Sequence, residues 1–212
     1  KADDLIDSSN GANDVPAGPD ATLPLISVKE VGFSVSNGWL HYAVILHNNS
    51  DDTAVYLPQF RVTSRNASGD LLGVETMVLS GIYPNQDVVW ASQAGEASEI
   101  PASVDIDIVE PESYNLMPPG NMEYPDLIPL EVQGATVKKG TFPTLIGEVY
   151  NPNKYDISMA AIVVVFRDKD GKLMAGCDGY CDGVKAGTKT PFEINLYSEL
   201  MGETYEVYAM PW

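Results

Sequence analysis

Cys177 and Cys181, in the segment Gly176-Cys177-Asp178-Gly179-Tyr180-Cys181-Asp182, are the only cysteines and the first residues whose spacing bears on chemistry. A thioredoxin-like redox site needs two residues between its cysteines and a helix start. Here three residues intervene in a strand context, so redox catalysis is not expected. Zinc needs two further nitrogen or sulfur ligands, and no histidine lies nearby. Along one straight strand, four steps of about 3.3 Å hold the thiols too far apart to bond, whereas a turn at Asp178-Gly179 brings them together. An oxidising exterior favours closure. The expectation is a disulfide that fixes this loop, contributing about 2 kcal/mol in the chain-entropy model, with two free thiols as the alternative.

His41 and His47 are the only imidazoles. Six positions apart on one predicted strand, they stand roughly 20 Å from each other and cannot share a metal within one chain. They read as two solvent-facing strand residues. The second half of the chain has no histidine, so a Ser-His-Asp or Cys-His constellation there would need a partner from the first half, and no Gly-x-Ser-x-Gly elbow occurs. Asp168, Asp170 and Gly171 resemble the start of an EF-hand loop, but Gly179 stands where the bidentate Glu is required. They read as a turn, as do Asp51-Asp52. Calcium between such acidic loops stays open as an alternative for an acidic extracellular pair of domains. With 30 acidic residues, two facing carboxylates of a glycosidase arise by chance in almost any fold and carry no weight. No phosphate loop or dinucleotide fingerprint is present. The residues therefore supply no catalytic, cofactor-binding or metal set. What remains is a candidate interaction surface of Trp39, His41 and His47, since an aromatic ring beside a polar rim suits a binding face. Packing of Trp39 against the other half is the plainer alternative.

Charge narrows the partners. Thirty acidic residues against 12 basic ones give a net charge of -18, a field that repels phosphate backbones and anionic headgroups. Nucleic acid is not an expected partner, nor is a membrane surface except through an N-terminal lipid anchor. Residues 25–112 hold 12 acids and 3 bases and residues 125–212 hold 12 acids and 8 bases, so the first half is the more electronegative. No apolar run approaches the roughly 20 residues of a bilayer span.

The elements that position these residues come in two copies. Val35 and Gly38 recur as Val137 and Gly140, Leu46 and Asn48 as Val149 and Asn151, Gly69 and Leu71 as Gly171 and Leu173, and Gly81, Ile82 and Trp90 as Gly183, Val184 and Phe192, at an offset of 102 or 103. Within each copy the apolar period is two. Leu40, Tyr42, Val44 and Leu46 alternate with His41, Ala43, Ile45 and His47, the pattern of a strand with one face in a core. Ala161 to Phe166 is a β-branched and aromatic run, with Ile162, Val164 and Phe166 on one face, that ends in the turn signal Asp168-Lys169-Asp170-Gly171-Lys172. Eighteen Gly and 15 Pro punctuate the chain too often for a helical bundle, and only Leu196 to Leu200 suggests a helical turn. The expected architecture is all-β: two tandem immunoglobulin-like antiparallel β-sandwich domains. The first has a core of Leu40, Tyr42, Val44, Leu46, Phe60, Val62 and Trp90. The boundaries are a flexible acidic tether over 1–24, sandwiches over 25–112 and 125–212, and a Pro-rich linker over 113–124 that acts as a hinge.

Three segments of the second copy resemble a known family: Leu145-Ile146-Gly147-Glu148-Val149-Tyr150-Asn151-Pro152, Val164-Val165-Phe166-Arg167-Asp168-Lys169-Asp170-Gly171-Lys172, and Gly183-Val184-Lys185-Ala186-Gly187-Thr188-Lys189-Thr190-Pro191-Phe192. Together they are similar to the three blocks of the FxLYD domain, over most of residues 130–210 and, through the repeat, more weakly over 28–110. At the name-giving motif Val164 stands for Phe, Phe166 for Leu and Arg167 for Tyr, and Asp168 is kept. The resemblance implies an immunoglobulin-like module of extracytoplasmic bacterial and archaeal proteins, often lipoproteins, with no catalytic residues. The expected function is a non-enzymatic binding or spacing module of the cell surface whose partner is an unidentified protein or surface ligand. An assembly or adhesion module pairing through edge strands is the alternative, and a carboxylate hydrolase across the domain cleft the remaining one.

Overall fold

A computed structural model describes residues 23–212. The tether expected over 1–24 lies, apart from Leu23 and Pro24, outside the described residues. The fold is all-β. The first half contains β1 (Ile26–Ser36), β2 (Trp39–Asn48), β3 (Ala54–Tyr56), β4 (Gln59–Arg65), β5 (Leu71–Val78), β6 (Gly81–Ile82), β7 (Asp87–Glu96) and β8 (Ser103–Val109). The connection carries β9 (Leu116–Met117). The second half contains β10 (Glu131–Lys138), β11 (Thr144–Tyr150), β12 (Ile157–Arg167), β13 (Leu173–Val184), β14 (Lys189–Asn195) and β15 (Thr204–Pro211). Helical structure among the described residues is confined to single 3-10 turns, one of them Ser198–Leu200, inside the segment where the sequence suggested a turn. No helix of the described residues is long and apolar enough to cross a membrane.

The duplication is visible in the topology. Sheets of order β1-β2-β7 and β5-β4-β8 in the first half match β10-β11-β14 and β13-β12-β15 in the second, strand for strand, whereas the small sheet β6-β3-β9 has no counterpart in the second half. All of their ladders are antiparallel. The side chains repeat as well. Buried Asn48 donates from Nδ2 to the carbonyls of Thr53 (2.8 Å) and Ile82 (3.3 Å) and accepts from the Ser50 N–H. Buried Asn151 donates to the carbonyls of Tyr155 (2.9 Å) and Val184 (3.0 Å) and accepts from the Asn153 N–H. Each asparagine thus satisfies two carbonyls, one at a strand end and one in the adjoining loop.

The strands divide at the connection, but the hydrophobic packing does not. One apolar cluster joins the expected Leu40, Tyr42, Val44, Leu46, Phe60, Val62 and Trp90 to Ala161, Val163, Val165 and Leu173 of the second half. The opposite face of β12, with Ile162, Val164 and Phe166, fills a second cluster together with Leu145 and Ile194. β12 is therefore buried on both faces, and the four sheets lie in the order β5-β4-β8, β1-β2-β7, β13-β12-β15, β10-β11-β14. The outer face of β2, expected to meet solvent, instead meets β13. A Cβ on Gly32 of β1 would meet the backbone of Leu173 and Met174, and one on Gly176 would come within 2.6 Å of the Ala91 Cβ in β7. Three residues of β13, about 10 Å, thus span the two strand spacings from β1 to β7, so the facing sheets cross steeply. Small residues at the crossing allow the close approach.

Polar contacts fasten the same joint. Arg167 donates to Glu30 across it (2.7 Å) and to Glu206 beside it (3.0 Å). Ser36 donates to Glu199 (3.0 Å), and Ser80 to the Pro211 carbonyl (2.6 Å). Arg167 is thus a tie between the halves. The connection itself is seated on the first half: β9 pairs with β3, buried Met122 packs over Gly81, and the Tyr83 hydroxyl donates to the Tyr124 carbonyl (2.7 Å). The segment expected to act as a hinge thus contacts the first half at β9, Met122 and Tyr124.

Candidate functional site

The three residues expected to share an interaction surface are separated by the joint. Trp39 begins β2 beside the Asn37-Gly38 turn and is 40% exposed. His47 is half-buried and hydrogen-bonds through Nδ1 to Asp87 (2.6 Å), which also takes Lys29 (2.8 Å). His41 is fully buried, against the expectation of a solvent-facing residue. The parity of the strand is as expected; the face on which His41 sits is covered by the second half. Its ring lies 4.7 Å from that of Tyr197, and the Gln93 amide reaches both its Nε2 (3.4 Å) and the Tyr197 hydroxyl (3.2 Å). Nδ1 has no partner.

Burial lowers the His41 pKa below its ordinary 6.5. The unfolded chain takes up a proton near that value while the folded chain resists it, so this group's contribution to stability is complete above 6.5 and declines as the pH falls. Chemical denaturation is expected to give a lower midpoint at about pH 5 than at about pH 7, and His41→Gln to flatten that slope. An equal slope in the variant would assign it to other groups.

The expected disulfide is not formed: both cysteines are free and buried. No turn forms at Asp178-Gly179, because β13 runs unbroken through it, with Cys177 opposite Val164 and Cys181 opposite Ala160. Both side chains face the second cluster, four strand steps apart. Burial, then the charge of Asp178, pushes the Cys177 thiol up to about 12, which keeps it protonated at neutral pH. We expect thiol reagents to modify Cys177 only on unfolding, and a reductant to leave the thermal midpoint unchanged. Rapid labelling of the native chain at Cys177 contradicts this packing.

The carboxylates expected to shape turns do so. Asp168 Oδ1 accepts the N–H groups of Asp170 (2.9 Å) and Lys172 (3.0 Å) and so closes the turn. Among the described residues no Asp or Glu is fully buried, and no group of three His, Cys, Asp or Glu is placed to hold a metal. Glu75 faces inward from β5, and burial raises its pKa.

A constellation that the sequence did not disclose lies where the first half, the connection and β15 meet. Tyr56, Tyr83, Met122, Tyr124, Met210 and Trp212 line a cleft of about 40 Å³. Trp212 stacks on buried Trp90 (centroids 4.7 Å apart, planes 12° apart) and meets Tyr180 (5.6 Å), while Tyr124 stacks on Tyr155 (5.6 Å). Burial pushes the Tyr83 and Tyr180 phenols up to about 12, which keeps both protonated as donors. The rings converge from positions distant in the chain. Only the aromatic content of the turn and terminal segments hinted at them.

No family model matches the chain, and no curated protein matches it. Among solved structures, red sea bream transglutaminase is similar at 9% identity and a TM-score of 0.26, over 89% of this chain and 31% of that one. The chain thus spans about a third of that protein's length.

Proposed function

We propose that the chain is a non-enzymatic, extracytoplasmic binding or spacing module of the cell surface, a rigid pair of stacked β-sandwiches that engages a protein partner through the aromatic cleft. The cleft carries the reading. Its 40 Å³ is far below the roughly 300–1,000 Å³ of small-molecule and cofactor sites and matches the tip of one inserted side chain. Tyrosine and tryptophan rims are the usual anchors of protein interfaces. The net charge of -18 selects for neutral or basic partners. The resemblance of residues 145–192 to FxLYD domains is the ground for a non-enzymatic role. The test is binding of fluorescently labelled chain to envelopes of the cells that make it. Tyr56→Ala is expected to weaken binding at least tenfold, and Ile100→Ala, exposed elsewhere, to leave it unchanged. Equal binding by both variants rejects the cleft. Protease treatment of intact cells tests the location.

One observation favours the second reading, assembly through edge strands. β5 pairs only with β4, exposes Leu71, Val74 and Val78, and carries Glu75 as its single charge. An edge of this kind invites another strand, although an inward-facing charge such as Glu75 disfavours it. On this reading the chain dimerises at high concentration and Val74→Lys restores the monomer. A wild-type monomer in sedimentation removes it.

A further inference from the structure

Asn-x-Ser occurs at two places, Asn48-Asn49-Ser50 and Asn66-Ala67-Ser68, and the structure treats them differently. Asn48 is fully buried and commits both amide hydrogens to the carbonyls of Thr53 and Ile82, so its nitrogen is closed to modification in the folded chain. Asn66 sits in the turn between β4 and β5, flanked by exposed Ala67, Ser68, Gly69 and Asp70. Its Oδ1 builds the turn by accepting the N–H groups of Ser68 (3.0 Å) and Asp70 (2.9 Å). Its Nδ2 makes only long contacts with Asp70 (3.3 Å) and Glu99 (3.4 Å).

The repeat shows which atom of Asn66 the fold needs. At the equivalent turn Asp168 accepts the same two N–H groups, from Asp170 and Lys172, with a carboxylate oxygen and has no amide nitrogen at all. Gly69 and Gly171 complete the two turns at φ +85° and +79°, and Arg65 and Arg167 each donate to the carbonyl of that glycine. One turn geometry is thus built with Asp in one copy and Asn in the other. The amide nitrogen is dispensable to folding and lies on the surface beside the Ser68 that the Asn-x-Ser pattern requires.

We propose that Asn66 is the acceptor of an N-linked oligosaccharide, an inference that rests on the extracytoplasmic reading above. The donor is an oligosaccharide linked through phosphate to a polyprenyl lipid, supplied with its transferase by the export compartment. The Asn66 Nδ2 displaces the lipid phosphate at the anomeric carbon. An N–C bond forms, the C–O bond to phosphate breaks, the phosphate leaves with the bonding pair, and one amide proton passes to a base of the transferase. Oδ1 keeps both turn hydrogen bonds, so the glycan leaves the fold unchanged.

The test is mass spectrometry of the peptide spanning Asn66 in chain purified from the cells that make it, with fractionation run in parallel. The expected result is a glycan on Asn66, none on Asn48, and loss of the adduct in both Asn66→Asp and Ser68→Ala without a shift in thermal midpoint. Bare Asn66 on chain found outside the cytoplasm overturns the proposal. Chain found only in the cytoplasm refutes the location instead. The acceptor is then decided by directing the chain through the secretory route of a glycosylating eukaryotic host, where occupancy of Asn66 supports it and a bare Asn66 overturns it.

Discussion

Asn151→Ala is expected to destabilise the protein by about 3–5 kcal/mol, because it strands the carbonyls of Tyr155 and Val184 and the N–H of Asn153 around a fully buried side chain. The second half amplifies the loss: Asn153 also donates from Nδ2 to Asn151 Oδ1 (3.0 Å) and holds Ile128 by both of its backbone groups. Asn151→Asp, nearly the same shape, should be worse than alanine, since it aims a carboxylate at two carbonyl oxygens. Asn48→Ala in the first half should lower the same transition. One apolar cluster spans both halves, so urea denaturation followed by tryptophan fluorescence and by far-ultraviolet dichroism should trace a single coincident step in each variant. Two separated steps would mean that the sandwiches unfold independently and that the shared cluster does not couple them.

Gly32→Ala is the second large effect. The added methyl group meets the backbone of Leu173 and Met174 rather than a side chain that could swing aside, so the sheets must part along the joint. Overpacking of this kind costs about 3 kcal/mol, at the upper end of its usual range. Gly120→Ala is the matching control, because nothing lies within 4 Å of its added Cβ. Small-angle scattering of Gly32→Ala should also show a larger radius of gyration, as an opened joint lengthens the particle. An unchanged midpoint and radius would show that the two halves are not packed this closely.

The architecture of each half was legible in the sequence because it rests on local rules. Period-two alternation marked β2, the Asn66–Asp70 and Asp168–Lys172 turns carried their own signals, and all seven residues expected in the first core are buried. The joint was not legible as a contact, although it left a trace. Ala161 to Phe166 has no polar position on either face, the mark of a strand covered on both sides, whereas its counterpart β4 alternates through Arg61. β2 is also covered on both faces, with only Trp39 and His47 not buried, but its histidines hide this in the sequence. His41 deceived because histidine is a polar residue at an outward parity, and only knowledge of what covers that parity could bury it. The cysteines deceived in the other direction: a good turn dipeptide was overridden by ladder pairing with β12. The cleft was beyond reach, since its walls come from residues near 56, 83, 122 and 211, which no spacing rule connects.

The steep joint sets unlike sheets against each other, the β1-β2-β7 sheet of one copy and the β13-β12-β15 sheet of the next, whose own counterpart is β5-β4-β8. A heterologous contact of this sort has no built-in closure and could in principle propagate as a filament of sandwiches. The two outer faces do not repeat the chemistry of the joint. Where the second copy presents Ala161, Val163 and Val165 to the joint, the first copy presents Gln59, Arg61 and Thr63 beside Asp105 and Asp107. Where the first copy presents Ala43 and Ile45, the second presents Ile146 and Glu148, with Glu193 alongside. The two units thus differ at the faces that meet in the joint: those faces are apolar, and their counterparts on the outer sheets carry charge.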